Sequence, residues 1–163
     1  MASPPVGVDV LHTSATALFQ LGELAWLPGG KAYVYIQANG VVTGDGYVLS
    51  WKGNVFDAAM IDTDVAATVV AGMQVGVPEC VFADNEYGWA QVYGPCGIRS
   101  EQDALANSLI GPTADAGQVD DASASANLIA GMWFGTATGG ADAVNATGFL
   151  NWPQIEDRYT PAT

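Results

Sequence analysis

The 163-residue chain is predicted to be an all-β protein, a small β-barrel or sandwich with an extended N-terminal arm and at most one short helix. Three observations carry this. From Leu18 onward the apolar residues come in short runs rich in Val, Tyr and Trp. Glycine-containing turn signals separate those runs at short, even spacing. Where period-2 alternation can be checked, it holds.

Residues 1–17 carry Pro4, Pro5 and Gly7, with only Val8, Val10 and Leu11 as apolar anchors, so this segment reads as an extended arm. Residues 18–163 then form one β-barrel domain, within the usual size of a single domain. Candidate strands are Leu18–Trp26, Ala32–Ala38, Tyr47–Trp51, Val65–Val77, Cys80–Ala83, Trp89–Tyr93, Leu128–Thr138 and Ala143–Trp152. Between them lie breakers such as Pro28-Gly29-Gly30, Gly44-Asp45-Gly46, Lys52-Gly53-Asn54, Asp84-Asn85-Glu86 and Gly139-Gly140. In the second run Tyr33, Tyr35 and Gln37 share one face, opposite Ala32, Val34, Ile36 and Ala38. In the sixth, Trp89, Gln91 and Tyr93 oppose Ala90 and Val92. Helical spacing is arguable only over Asp57–Ala71 and Ser100–Leu109, and the small, polar stretch Gly111–Asn127 reads as a long surface excursion.

Half of the residues are apolar and only 13% are charged, below the usual share, which suggests surface buried against other subunits. Seventeen acidic residues face four basic ones, Lys31, Lys52, Arg99 and Arg158, for a net charge of −13. Nucleic-acid binding needs clustered cations to replace counterions on phosphate, so no nucleic-acid partner is expected. An anionic membrane surface is disfavoured for the same reason. The opening Met1–Gly7 lacks a basic and an apolar region of the kind a secretory leader has, and Val65–Val77 is too short and too polar to cross a bilayer.

No catalytic motif emerges. The single histidine, His12, sits in the arm, so no histidine metal cluster can form, and neither a G-x-S-x-G elbow nor a phosphate loop occurs. Asp62/Asp64 and Asp120/Asp121 are carboxylate pairs of a kind expected by chance among seventeen acids; they read as solvated loop acids, with calcium ligation as the alternative. Cys80 and Cys96 have no zinc-like spacing and read as two free thiols, although a pairing stays open. The sequon Asn145-Ala146-Thr147 reads as a chance match. The chain is therefore expected to be no enzyme, with no cofactor and no metal. Five Trp and six Tyr leave a carbohydrate-binding module as the competing function, set against Trp51, Trp89 and Trp133 packing in the core or at subunit contacts.

From Val75-Gly76-Val77 to Gly97, the order of an apolar strand followed by Tyr87-Gly88-Trp89-Ala90-Gln91-Val92-Tyr93-Gly94 resembles the small β-barrel decoration (head-stabilising, or cement) proteins of tailed bacteriophages. Phe19-Gln20-Leu21-Gly22 and Ala32-Tyr33-Val34-Tyr35-Ile36 before it agree. So do Ala104–Leu109, Thr113-Ala114-Asp115-Ala116-Gly117 running into Val119-Asp120-Asp121, a late strand with Gly131, and the closing Phe149-Leu150-Asn151-Trp152-Pro153. The similarity spans about residues 18–155. It implies a non-enzymatic virion protein on the outer capsid surface, made in the host cytoplasm, commonly a homotrimer, with the major capsid protein as partner; host glycans are a further candidate partner from the aromatic content, since such a subunit can display a glycan-binding face. Val8, Val10, Leu11, Phe19 and Leu21 are the candidate capsid or subunit contacts, and deleting residues 1–17 is expected to leave thermal stability nearly unchanged while weakening attachment.

Overall fold

A computed structural model describes residues 7–121, 127–140 and 144–157. Ten strands form the fold: β1 (Leu24–Leu27), β2 (Lys31–Ala38), β3 (Leu49–Trp51), β4 (Asp57–Met60), β5 (Gln74–Pro78), β6 (Tyr87–Ser100), β7 (Ile110–Pro112), β8 (Val119–Asp121), β9 (Asn127–Phe134) and β10 (Val144–Asp157). The helical element among the described residues is one 3₁₀ turn, Ala66–Thr68. The chain is all-β, as its alternation and turn residues predict.

The pairings close a ring. β2 pairs with β4, β4 with β3, β3 with β5, β5 with β6, and β6 returns to β2. Ala32, Val34, Ile36, Ala38, Trp51 and Ala90 belong to the cluster at this ring. The 14-residue strands β6 and β10 pair along Val144–Asn151 and run on beyond the ring. There, with β9, β8 and β7, they cover a second cluster that includes Ile98, Ile110, Ile129, Phe134 and Leu150. Tyr33 and Tyr35 lie on the other face of β2, in a third cluster with Trp89 and Ala25. The alternation predicted for β2 is therefore real, and both of its faces are buried.

Several sequence expectations are corrected. Asp57–Met60, at helical spacing, is a strand, because its backbone is claimed by β2 and β3. Ser100–Leu109 is likewise not a helix: β6 ends at Ser100, and turns follow. Val65–Val77 is no continuous strand; it is a 3₁₀ turn, a loop and then β5. Cys80–Ala83 contributes a single bridge, Phe82 to Val42. Gly111–Asn127 is no mere excursion: β7 and β8 pair there, with Ile110 and Val119 buried, while 122–126 lie outside the described residues. Tyr93 leaves the face of Trp89. The register of β2 with β6 shifts between Ala32 and Tyr33, a bulge at Val92, and Tyr93 packs with the cluster of Ala90 and Val92. The buried Gln91 side chain holds this bend by donating to the carbonyls of Tyr93 and Pro95, both at 3.0 Å.

From Gly7 the N-terminal segment lies against its own sheet. Ser14 and Tyr87 exchange backbone hydrogen bonds of 2.9 and 2.8 Å, and the Thr13 hydroxyl donates to Glu86 at 2.6 Å. Val8 and Val10 pack on the cluster of Tyr33, Tyr35 and Trp89. These contacts correct the expectation of an arm with little structure of its own, as far as residues 7–17 are concerned.

Candidate functional site

The bulge at Val92 sends Tyr93 toward β1, where Trp26 stands opposite Ala32, itself the Cα partner of Tyr93. Their rings meet at 5.5 Å between centroids. Tyr93 also meets Phe149 of β10 edge to face at 5.5 Å, and Phe149 stacks on its cross-strand partner Trp133 at 5.0 Å. Trp152 joins at 6.2 Å from Trp26 and 6.4 Å from Tyr93. Five rings from β1, β6, β10 and β9 thus form one strip, and its three tryptophans are 38–45% exposed. Aromatic rings left open to solvent in this way are characteristic of binding surfaces.

Trp152 owes its position to a second bulge. The register of β10 against β9 shifts between Leu150 and Gln154, and Trp152 sits at φ +50°, unusual for a bulky side chain. Gly131 of β9 makes the bulge fit, since a Cβ there would stand 2.5 Å from the Asn151 carbonyl oxygen. Beside Trp152 opens a cavity of about 370 Å³.

A second opening, an open cleft of about 620 Å³, is rimmed by Val41, Val55 and Val65, each about half exposed, and no aromatic ring lines it.

The candidate contact residues divide. Val8, Val10, Phe19 and Leu21 are spent on intramolecular packing around Trp89, while Leu11 is 59% exposed. Trp51 and Trp89 are buried as expected for core residues, and Trp133 is on the strip.

Lys31 and the Tyr33 hydroxyl both bond Glu79 Oε1 at 2.6 Å. Burial opposes ionisation of Glu79, but these two bonds outweigh it and hold its carboxyl below the usual range. Burial and the neighbouring Glu79 push Tyr33 far above its ordinary value. Neither is poised to move a proton near neutrality. Burial pushes the thiols of Cys80 and Cys96 up to about 11 and about 12, and both are free. His12 and Asp9 pair on the surface at 2.7 Å. Asp62 accepts from the Asp64 amide at 2.7 Å in a local turn. Asp120 accepts from the Asp121 amide at 2.7 Å on β8, and burial with the charges of Asp121 and Glu101 raises it to about 6. Among the described residues no three His, Cys, Asp or Glu are grouped to hold a metal ion.

Comparison with known proteins adds no relative: no protein-family model matches the chain, and no curated protein matches it.

The strip was only partly legible in the sequence. The abundance of Trp and Tyr raised exposed rings as the alternative to core packing, but the two bulges that gather them depend on pairing with β2 and β9, which no local pattern announces.

Proposed function

We propose that the protein is a non-enzymatic virion subunit that decorates and stabilises the outer surface of a phage capsid, as a homotrimer seated on the major capsid protein. The observation that carries this reading is the valine-rimmed cleft. Exposed Val41, Val55 and Val65 around one opening, lined also by Lys52, Asp57 and Asp62, form a mixed apolar and polar surface suited to a protein partner, on a chain poor in charge for its size. The resemblance around Tyr87–Gly94 supports the same reading. So does the state of the cations: Lys31 is engaged by Glu79, and Arg99 lies 5.5 Å from the Tyr47 ring centre, so neither is part of a basic patch for a packaged genome.

The test is attachment. Protein added to capsids lacking it is expected to co-sediment with them and to add trimeric density in electron micrographs. Val55→Asp with Val65→Asp should abolish this while leaving the circular dichroism spectrum unchanged. Absence of the protein from particles purified from its source would overturn the proposal.

A second reading, a carbohydrate-binding module, is favoured by the open rings of Trp26, Trp133 and Trp152. The two are compatible, because the cleft and the strip share no residue. Saturable hits on a glycan array that vanish with Trp133→Ala and Trp26→Ala would support the second reading, and an empty array would remove it.

A further inference from the structure

The cavity beside Trp152 is built at the expense of backbone comfort. Two aromatic residues line it, Phe56 at φ +55° and Trp152 at φ +50°, and both occupy the left-handed region that bulky side chains avoid. Gly22, at φ +83°, lines it too, and any Cβ there would run into the Phe56 ring. Strain of this kind persists only where the surrounding structure enforces it, and it clusters at ligand-holding sites.

Its chemistry is narrow. Val34, Val75 and Val92, all buried, make an apolar floor. Among the described residues that line it, none is ionisable. Two exposed amides, Gln74 and Gln154, are Cα partners across β5 and β10 and therefore stand side by side. Gln74 Oε1 accepts from the Trp51 indole at 3.0 Å, which fixes the amide and leaves its NH₂ as the donor. Gln154 Nε2 reaches Glu156 at 3.5 Å, which leaves Gln154 Oε1 as the acceptor. One fixed donor and one acceptor above an apolar floor complement another amide that carries a methyl group.

From this we infer that the cavity takes the acetamido group of a neutral N-acetylated sugar. The acetamido carbonyl accepts from Gln74, its N–H donates to Gln154, its methyl enters among the valines, and the C–H face of the sugar ring lies against Trp152. This rests on the carbohydrate reading of the strip and adds to it the site and the class of sugar.

The full chain is titrated with the trisaccharide of β-1,4-linked N-acetylglucosamine and, separately, with the glucose trisaccharide of the same linkage, following tryptophan emission. Binding of the N-acetylated sugar is expected to be about tenfold tighter, the scale of one or two hydrogen bonds plus a buried methyl. Gln154→Ala, at an exposed position, should erase that preference without changing the melting temperature, and Trp152→Ala should remove binding. Equal binding of both sugars would overturn the cavity assignment while leaving the strip a sugar-binding surface. Binding of neither would overturn both. Concentration-dependent dimerisation lost with Trp152→Ala, without sugar binding, would assign the cavity to a second copy of the chain instead and overturn the inference.

Discussion

Two groups of aromatic rings in this molecule have the same chemistry and opposite fates. Phe19, Tyr35, Tyr87 and Trp89 pack with centroids 5.0–6.4 Å apart, and Trp89 and Tyr35 are fully buried. Trp26, Tyr93, Phe149, Trp133 and Trp152 pack at similar distances, and their tryptophans stay open. The difference is a cover. Residues 8–21 cross Tyr35 and Trp89 with Val8, Val10 and Leu21 and bring Phe19 into the group, and the Leu18 amide donates to the Tyr35 hydroxyl at 3.0 Å. The second group has no such cover in the chain as described. The aromatic surface that the protein roofs with its own chain serves stability, and the one left open among the described residues is the one we propose for a partner.

The sharpest break of this comparison is Trp89→Ala against Trp133→Ala. Emptying the covered site should cost about 3–5 kcal/mol in urea unfolding, whereas the open one should cost under about 1 kcal/mol. Equal losses would mean that the strip is as much core as the covered group. Removing the cover itself comes next. Deletion of residues 1–17 takes away Val8, Val10 and the Ser14–Tyr87 backbone pair, and should lower stability by about 2–4 kcal/mol. This reverses the expectation from sequence that the deletion is nearly silent, and an unchanged melting temperature would restore that expectation.

Gly22→Ala addresses the strained cavity wall at the edge of the open group. It adds a Cβ in the path of Phe56 at a positive φ, so a loss of about 1–3 kcal/mol is expected. A neutral outcome would show that Phe56 moves freely and that the cavity is not held in shape. The smallest effect is electrostatic and involves neither group of rings. Asp120 has its folded value raised from 3.8 to about 6, so the folded chain holds that proton more tightly than the unfolded one. Its stabilising contribution is complete below about pH 3.8 and is lost as pH rises through about 6. Asp120→Asn should therefore melt slightly higher than wild type at pH 7, with the gap closing toward pH 4; a gap independent of pH would refute the raised value.

What could be read from the residue order is what depends on local chemistry. The alternation in Lys31–Ala38 gives β2 its two faces, since successive side chains of a strand point to opposite sides. The turn residues at Pro28-Gly29-Gly30 mark the β1–β2 hairpin, where Gly29 and Gly30 adopt φ +88° and +75°. The scarcity of Lys and Arg bears on partners without any fold at all. Tertiary structure decided the rest. Asp57–Met60 became a strand because β2 and β3 offered it hydrogen bonds, which outweighed the helical spacing of its alanines. Ile110–Pro112 and Val119–Asp121 are too short to show a period, and only each other and β6 make them strands. The strip and its cavity arise from two bulges: one extra residue at Val92 turns Tyr93 to another face, and two extra residues of β10 around Trp152 face Gly131 of β9. A bulge is a mismatch between two strands, so its position belongs to the pair and cannot be found in either strand alone.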